Sequence, residues 1–352
     1  MNYSKTIEER IIQNNFSILQ SLKKMDAVNK KLLLVFEKDR FVGVLSIGDI
    51  QKAIIANKPM DTCITEIIRK DFVFAKNIDL KENVLQLMQQ HRIECMPVLD
   101  ENLQLVNVYF WDDLLGSTKR NGGIELNLPV VIMAGGQGNR LKPLTNILPK
   151  PLIPIGEKTI IEQIMDKFCD AGCTTFYISV NYKAEMIKYY FSTLEKNSYN
   201  ILYLEEDKPL GTAGSLHLLK GKIVSTFFVS NCDILIDQEV SEIYDYHKAA
   251  GNEITLVAAL KNYSIPYGII ETGTDGLLQS ISEKPELTFK INTGLYILEP
   301  HLIDEIPDNE LYHITYLIEK LQRERRKVGM FPVSEKSWRD IGEWNLYMKE
   351  MG

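Results

Sequence analysis

Residues that can hold a polyphosphate lie close together in the middle of the chain. The apolar run V-V-I-M-A, which starts at residue 130, does not alternate with polar residues, and this favours a strand buried on both faces of a parallel sheet. Gly135, Gly136 and Gly138 follow at once, and Arg140 and Lys150 come after them. A glycine-rich turn directly after a buried strand brings backbone N–H groups close to an anion. The two cations add charge that the amides lack, so the stretch predicts a polyphosphate site.

Two other interpretations of this stretch are open. A dinucleotide-binding turn requires G-x-G-x-x-G leading into a helix. Gly136 and Gly138 match that spacing, but Leu141 stands at the third position and Pro143 and Pro149 interrupt any helix. A tight turn with merely solvated charges is the second alternative, but it does not explain why so many specific residues coincide.

One aspartate is a candidate for a metal site. Asp233 ends the buried run F-F-V-S-N-C-D. A carboxylate at the end of a strand is either solvated or a metal ligand. Mg²⁺ prefers oxygen ligands and keeps several waters, so one or two carboxylates plus substrate phosphates suffice for it. The sequence around Asp233 leaves both interpretations open.

The pattern A-G-G-x-G-x-R-L-x-P-L-T, followed by P-K-P-L, resembles the opening of the sugar-1-phosphate nucleotidyltransferases. The resemblance implies a Rossmann-like α/β domain whose glycine turn wraps the nucleotide phosphates. It assigns catalysis to Arg140, Lys150 and Asp233. The segment W-R-D-I-G-E-W resembles the family pattern W-x-D-x-G, so the resemblance implies that Asp340 joins Asp233 in holding a Mg²⁺ ion, although only the fold can bring the two together. The nucleotide-binding residues that it implies in the turn are Ala134, Gly135, Gly136, Gly138 and Asn139. Asn139 departs from the usual Thr or Ser, but its side chain can still hydrogen-bond a phosphate.

A second glycine segment, E-E-D-K-P-L-G-T-A-G-S-L, starts at residue 205. Gly211 and Gly214 flank an expected helix start at Thr212, which would offer a second helix N-terminus to an anion. The resemblance implies that Gly211 and Thr212 hold the nucleoside and that Glu206 stands where relatives place a base-reading Gln. A carboxylate only accepts hydrogen bonds, and guanine presents two donors on one edge, so Glu206 favours GTP. The alternative is an exposed Glu in an acidic run.

Three shorter motifs, P-Y-G, S-E-K-P and I-N-T-G-L-Y, resemble the sugar pocket of the same family. Each motif is weak alone, and their family order downstream of the glycine turn makes them stronger together. The residues that they imply for the sugar phosphate are Gly268, Glu283, Lys284, Asn292 and Gly294.

The first 118 residues contain an internal repeat. The segment that starts at Phe36 aligns without a gap with the segment that starts at Asp100, so that Asp49 falls on Asp113. Each copy predicts a helix, a strand, a turn, a strand and a helix. A duplicated unit of this size is expected to pack as a pair.

The repeat resembles a tandem pair of CBS domains, an α+β arrangement that in many proteins binds adenosine nucleotides. In such pairs a Ser or Thr three residues before an Asp contacts ribose and phosphate. Ser46 and Asp49 have this spacing, whereas the second copy has Asp113 with Phe110, which lacks a hydroxyl. The resemblance therefore implies at most one adenine-nucleotide site. A structural or dimerising module without a ligand has equal weight, and we expect a homo-oligomer.

Helices and strands alternate after Lys150 and must position the site. The segment from Thr159 to Ala171 has a helical apolar period, and Phe176 to Val180 reads as a buried strand. This alternation predicts a mostly parallel sheet with helices on both faces, and ligands bind beyond the carboxyl ends of such strands. The predicted organisation is a CBS pair at 1–118, a linker at 119–128 and a nucleotidyltransferase domain at 129–352.

Bulk properties exclude several classes of protein. The chain has 352 residues and a net charge of −7, which argues against a nucleic-acid partner because neutralising phosphates needs a clustered positive surface. No apolar run approaches the ~20 residues that span a bilayer, and the first ten residues do not resemble a secretion signal. Five cysteines without a C-x-x-C pair make a disulfide framework unexpected. We expect a cytoplasmic enzyme with small-molecule substrates.

Together these resemblances imply transfer of GMP from GTP to a sugar 1-phosphate, which gives a GDP-sugar and pyrophosphate. The fusion to CBS domains resembles guanylyltransferases that make GDP-glucosamine from glucosamine 1-phosphate for nonulosonic (legionaminic) acid synthesis. Mannose 1-phosphate is the main competing substrate. A catalytically inactive relative that senses nucleotides is a different class, and such proteins typically lose the Arg, the Lys or an Asp that are all present here.

Overall fold

The computed structural model describes residues 3–69, 72–76, 83–84, 86–88, 93, 95–110, 125–194, 199–342, 344 and 347–348. Contacts between residues divide the chain into two compact units, Met1–Gly122 and Gly123–Gly352. Asp113 and positions 119–124 of the predicted linker lie outside the described residues, so what was expected of them stays a prediction.

The N-terminal unit contains the same small sheet twice. In the first copy the strands are β1 (Ile11–Gln13), β2 (Leu32–Glu37) and β3 (Arg40–Ser46), and in the second they are β4 (Ala75–Lys76), β5 (Cys95–Leu99) and β6 (Leu105–Phe110). In both sheets the first two strands pair in parallel and the last two pair antiparallel. The two copies therefore share one pattern of strand pairing, in agreement with the internal repeat in the sequence.

The two copies share one apolar core. Its members include Leu34 and Phe36 of the first copy and Leu105 and Phe110 of the second. Phe110 is buried, and the guanidinium carbon of Arg10 lies 3.6 Å from the centre of its ring. The second copy thus has a stacked aromatic ring at the position where the first copy has the Ser46 hydroxyl.

Capping side chains start the longer helices of this unit. The helices with complete bounds in the described part of this unit are α1 (Lys5–Glu8), α2 (Ile18–Val28) and α3 (Ile47–Ile55). Ser17 and Ser46 precede α2 and α3 and form capping boxes with Gln20 and Asp49, which satisfy backbone N–H groups that have no partner inside a helix.

Seven strands form the central sheet of the second unit. In spatial order they are β11 (Asn200–Glu205), β10 (Thr175–Val180), β7 (Val130–Met133), β12 (Phe227–Asn231), β17 (Glu286–Leu298), β14 (Ile254–Ser264) and β18 (Val328–Ser334). Strand β17 is antiparallel to both of its neighbours, and every other pairing in the sheet is parallel. The predicted mostly parallel sheet is confirmed.

Both faces of this sheet are covered by apolar cores. Between residues 125 and 342, leaving out 195–198, the α-helices are α4 (Ile160–Cys169), α5 (Ala184–Thr193), α6 (Val240–Ala250) and α7 (Ile314–Arg323). Val130 and Ile132 pack into the core that contains α4, while Val131 packs into the core that contains α7. Because successive side chains of a strand point to opposite faces, the unbroken apolar run of β7 follows from burial on both sides.

One predicted helix start is wrong, and a tertiary contact explains why. The segment expected to start a helix at Thr212 instead forms a 3-10 helix over Gly214–Leu219. The carbonyl of Tyr312 accepts hydrogen bonds from the backbone N–H groups of Ala213 and Gly214, each at 3.0 Å. These hydrogen bonds to a distant segment replace the helical turn that the local pattern predicts.

The chain changes its direction across the central sheet next to β7. It passes from β7 to β10 and β11 on one side and then returns to β12 on the other side. In open α/β sheets ligands bind at such a switch point, outside the carboxyl ends of the strands. The glycine turn follows β7 and Asp233 follows β12, so two of the predicted motifs lie together at this edge.

Three short antiparallel pairs complete the unit. They are β8 (Pro154–Ile155) with β9 (Lys158–Thr159), β13 (Ile234–Ile236) with β19 (Trp338–Asp340), and β15 (Ile269–Thr272) with β16 (Leu278–Ser282). Within the ranges described above, no helix combines the length and the apolar character needed to cross a bilayer.

Replacing Arg326 with Ala should lower the free energy of unfolding of the second unit by about 2 kcal/mol at pH 7. Arg326 follows α7, and its guanidinium contacts Glu253 and Glu305, whose side chains are largely shielded from solvent. The hydrogen bond from Arg326 lowers the pKa of Glu253 to about 2 from an ordinary value of 4.5. The stabilisation is therefore complete above pH 4.5 and is lost as the pH falls from 4.5 towards 2.

Urea denaturation of both proteins at several pH values measures this difference. Arg323→Ala is the matched control, because the Arg323 side chain bonds only weakly to a backbone carbonyl of its own helix. A difference between wild type and Arg326→Ala that stayed constant down to pH 2 would show that the ion pair is not its source.

Candidate active site

A cavity of about 400 Å³ opens at the switch point between β7 and β12. Its walls come from the glycine turn after β7, the Lys150 segment, the loop after β11 and the end of β12. The predicted site residues that line it are Gly135, Gly136, Gly138, Asn139, Arg140, Lys150, Glu206, Gly211, Thr212 and Asp233. Ala134 does not line it: this residue is buried, and its N–H donates to the carbonyl of Ser179 at 2.9 Å.

The glycine turn leaves no room for a side chain at Gly138. This residue has a φ of 65°, and a Cβ added to it would lie 2.8 Å from Cγ2 of the buried Thr145. The Thr145 hydroxyl donates to the carbonyl of Gly138 at 2.9 Å, so a buried side chain stabilises the conformation of the turn. The backbone then enters a short 3-10 helix over Asn139–Leu141.

Two cations meet one carboxylate at the wall of the cavity. The ammonium of Lys150 donates a hydrogen bond to Oδ2 of Asp233, and both side chains are nearly buried. A guanidinium nitrogen of Arg140 lies 3.6 Å from the same oxygen, with more than half of its side chain exposed. Lys150 is thus fixed beside the aspartate, while Arg140 extends towards the solvent side.

Pairing of β13 with β19 brings Asp340 next to Asp233. Ile234 is the register partner of Asp340, and the N–H of Ile341 donates to the carbonyl of Asp233 at 2.8 Å. A Cβ added to Gly342 would lie 2.5 Å from Oδ2 of Asp233 and 2.8 Å from Oδ1 of Asp340. The two predicted aspartates therefore converge around the bare Cα of Gly342, whose N–H donates to Oδ1 of Asp340 at 2.7 Å.

This pair of carboxylates fits a hard divalent cation. Among the residues that the structure describes, no group of three or more His, Cys, Asp and Glu side chains is arranged to hold a metal ion. Mg²⁺ does not need such a cage, because it is held by one or two carboxylates together with substrate phosphates and water. Asp233 and Asp340 supply that donor set beside the cavity.

Glu206 forms another part of the cavity wall. It is only 9% exposed, so it is not a solvated residue of an acidic run. Its Oε1 accepts a hydrogen bond from the Ser179 hydroxyl, and its Oε2 accepts one from the N–H of Leu210 at 3.0 Å. A Cβ on Gly135 would lie 2.9 Å from Oε1. The carboxylate is therefore held directly against the glycine turn.

The loop after Glu206 is shaped by its contact with the segment before α7. Gly211 has a φ of 83°, and a Cβ there would lie 2.8 Å from the carbonyl of Tyr312. The Thr212 hydroxyl accepts a hydrogen bond from the N–H of Ile314 at 3.1 Å, where α7 begins. Both residues line the cavity, and their contacts also fix the loop to the rest of the fold.

The residues predicted for the sugar phosphate divide into two groups, and neither lines the cavity. Asn292 and Gly294 lie on β17, where the N–H of Gly294 donates to Oδ1 of Asn292 at 3.1 Å. A Cβ on Gly294 would overlap the side chain of Asn231, which does line the cavity. Asn231 therefore lies between this group and the cavity.

The second group lies at the β15–β16 ribbon. Gly268 and Glu283 are neighbours, since a Cβ on Gly268 would lie 2.8 Å from Oε2 of Glu283. Lys284 follows with a φ of 45° and is exposed. Gly268 and Glu283 therefore contact each other, as predicted for one binding site. None of the three residues of this group lines the cavity.

The residues predicted to bind a ligand in the N-terminal unit already have protein partners. The Ser46 hydroxyl donates to Oδ2 of Asp49 at 2.6 Å, and Nε of Arg69 donates to Oδ1 of Asp49 at 2.6 Å. A second nitrogen of Arg69 donates to the Ser46 hydroxyl at 3.2 Å. Asp113, the third residue of this prediction, is not among the described residues.

Sequence reasoning missed several residues of the cavity wall and its support. Met133, Pro209, Leu210, Asn231 and Cys232 also line the cavity. Burial raises the pKa of the Cys232 thiol to about 12, helped by the charge of Asp233, so this cysteine stays protonated and packs as a small side chain. Ser179 and Gly342 were missed as well. Ser179 could have been noticed as a polar residue inside a buried apolar run.

Comparisons with known proteins agree with this geometry. A family model described as nucleotidyl transferase matches residues 129–351. The chain is 35% identical over 223 residues to a mannose-1-phosphate guanyltransferase of Saccharomyces cerevisiae, which covers 60% of this chain and 61% of the relative. It is 36% identical over 226 residues to the protein of that name from Candida albicans, which covers 60% of each chain.

A solved structure, HddC from Yersinia pseudotuberculosis, is 26% identical and superposes with a TM-score of 0.51, covering 64% of this chain and 98% of that one. The chain spans about three fifths of the length of the curated relatives it matches. Because the family model covers more than half of the chain, and the fold and the glycine turn agree with it, the chain belongs to the nucleotidyl transferase family.

Proposed function

We propose that this protein transfers GMP from GTP to a sugar 1-phosphate and releases pyrophosphate. The observation that carries the proposal is the cavity at the switch point. A glycine turn, two cations, the buried Glu206 carboxylate and Asp233 line it, and Asp340 lies next to Asp233. The guanyltransferase relatives that match the chain support the same reaction class.

The reaction needs positioning and charge neutralisation more than acid–base chemistry. A phosphate oxygen of the sugar 1-phosphate attacks the α-phosphorus, and the bond from that phosphorus to the bridging oxygen of pyrophosphate breaks. The nucleophile is already an anion, so no general base is required. This agrees with the composition of the cavity wall, in which none of the described lining residues is a histidine. Catalysis then comes from fixed charges aimed at the phosphates.

The residues of the cavity have distinct roles in this proposal. Backbone N–H groups of the glycine turn, with Asn139, hold the nucleotide phosphates. Arg140 and Lys150 stabilise charge that builds up on the departing pyrophosphate. Asp233 and Asp340 would hold Mg²⁺, which when bound neutralises phosphate charge and aligns the reacting groups. Glu206, Gly211 and Thr212 hold the nucleoside, and the carboxylate of Glu206 selects guanine.

Two sugar 1-phosphates are candidates, each on a different ground. Mannose 1-phosphate is favoured by the names of the relatives that match the catalytic part of the chain. Glucosamine 1-phosphate, and with it nonulosonic (legionaminic) acid synthesis, is favoured by the combination of an N-terminal repeat with this catalytic domain. Gly268, Glu283, Lys284, Asn292 and Gly294 are proposed for the sugar phosphate.

We further propose that residues 1–118 form a tandem CBS pair, joined by residues 119–128 to the catalytic domain at 129–352. The matching strand order of the two copies and their common core support this. An adenine nucleotide at Ser46, Asp49 and Asp113 would have to displace the Arg69 contacts, because these already occupy the Ser46 hydroxyl and the Asp49 carboxylate. The contacts give more support to a structural or dimerising role.

Pyrophosphate release in the presence of Mg²⁺ tests the proposed reaction. GTP, UTP, dTTP, CTP and ATP are each combined with glucosamine, mannose, glucose and N-acetylglucosamine 1-phosphates. We expect release with GTP and with either glucosamine or mannose 1-phosphate, and the preferred sugar decides between the two candidates. Release with a pyrimidine nucleotide alone would contradict the role of Glu206. No release with any pair would favour a catalytically inactive nucleotide sensor.

Replacing Arg140 or Lys150 with Ala should lower kcat about 100-fold or more, on the order of 3 kcal/mol, as for other single electrostatic donors at a reacting centre. Lys208→Ala is the matched control, because it removes one positive charge close to the cavity from an exposed residue outside its wall. Initial rates with saturating substrates give kcat. Near-normal turnover of Arg140→Ala would remove it from the mechanism.

Replacing Gly342 with Ala should raise the Mg²⁺ concentration for half-maximal activity at least 10-fold, in the range found when residues that support metal ligands are changed. The added Cβ has no room between Asp233, Asp340 and Lys150, so the carboxylates must move apart. A magnesium titration of activity measures the effect. The thermal unfolding midpoint is the control, and a large fall in that midpoint with an unchanged magnesium requirement would show that Gly342 serves only the fold.

A further inference from the structure

A buried hydroxyl holds the carboxylate that faces the cavity. Ser179 lies near the carboxyl end of β10 and has no exposed surface. Its hydroxyl donates to Oε1 of Glu206, while the N–H of Leu210 donates to Oε2 at 3.0 Å. Each carboxylate oxygen therefore has one protein donor. The two donors come from different elements, so they restrict rotation of the carboxylate about its own axis.

The backbone on each side of this contact is also fixed. The carbonyl of Ser179 accepts from Ala134, at the start of the glycine turn, at 2.9 Å. The N–H of Glu206 donates to the carbonyl of Val180 at 3.0 Å. The side-chain amide of Asn181 donates to the carbonyl of Glu206 at 2.6 Å. Ser179 and Glu206 are therefore linked by rigid strands rather than by a flexible loop.

Counting hydrogen-bond sites shows what the held carboxylate can still accept. An ionised carboxylate has about four lone-pair sites on its two oxygens. Two are used by Ser179 and Leu210, which leaves about one on each oxygen. Guanine presents two neighbouring donors, its ring N–H and its exocyclic amino group, and they match one acceptor on each oxygen. Adenine places an acceptor beside its amino group, so a fixed carboxylate repels it.

We propose that Ser179 is a positioning residue for base selection: by fixing the orientation of the Glu206 carboxylate, it makes both oxygens available to the two donors of guanine. The inference rests on the proposed use of GTP and goes beyond it, because it concerns how the base is distinguished. A freely rotating carboxylate would still accept hydrogen bonds, but it would distinguish poorly between a base with two neighbouring donors and a base with one.

Comparing GTP with ITP tests this directly, because hypoxanthine keeps the ring N–H and lacks the exocyclic amino group. Wild type should prefer GTP over ITP in kcat/KM by at least 10-fold, as expected when a hydrogen bond to a charged group is lost. In Ser179→Ala the KM for GTP should rise about 10-fold with kcat within about twofold, and the preference for GTP over ITP should fall to a few-fold. Ser179→Thr keeps the hydroxyl and should restore most of the preference.

Each outcome decides between base selection and a purely structural role. A Ser179→Ala enzyme that lost activity equally with GTP and ITP, with the preference intact, would overturn the inference and leave the proposed function in place. A wild-type preference near one would also overturn it, without any variant having to fold. A wild type that released pyrophosphate only with another nucleotide would refute the proposed use of GTP, and the inference with it. Glu206→Gln should abolish the preference, since the amide cannot accept from both donors.

Discussion

Two carboxylates that lie beside each other are the constraint on which the rest of the site depends. Asp233 and Asp340 meet because β13 and β19 pair, and two like charges placed side by side repel each other. The structure compensates with cationic side chains and with a backbone donor. Lys150 contacts Asp233, Arg140 lies near the same oxygen, and the N–H of Gly342 donates to Asp340. The close approach also requires that position 342 carry no side chain. The glycine turn, the Lys150 segment and the end of the sheet are therefore parts of one electrostatic arrangement.

The second carboxylate region of the cavity follows a different physical rule. Glu206 is buried, and a buried charge without hydrogen-bond partners is costly. Ser179 and Leu210 supply those partners, and Gly135 supplies the space. Both regions occur at one edge because β7, β10, β11 and β12 run parallel, so that their carboxyl ends lie together. The architecture of the sheet thus brings two groups to the same cavity. One is the Asp233–Asp340 pair with its cationic side chains, and the other is the fixed carboxylate of Glu206.

The sequence predicted those parts that depend on local pattern. The buried run before Gly135, the buried strand shortly before Asp233 and the internal repeat all have short-range signatures, and each is present in the structure. Local pattern could not reveal the hydrogen bonds between the Gly211 loop and the segment before Ile314. These bonds join residues that are distant in the chain, and they override the helical pattern of the loop. Ser179 and Gly342 act through neighbours that are distant in the chain. The residues at the β15–β16 ribbon resemble a sugar pocket in type and order, yet pattern alone does not give their distance from the cavity.

The pairing of β13 with β19 has a consequence for the order in which the site can form. The glycine turn, Lys150, Glu206 and Asp233 all precede β14 in the chain, whereas Asp340 follows β18. Chains are synthesised from the N-terminus, and domains begin to fold during synthesis. The residues that line the cavity therefore leave the ribosome well before β19, which brings Asp340 beside Asp233. The meeting of the two carboxylates is thus a late event, because it must wait for a strand that is made after every residue of the cavity wall.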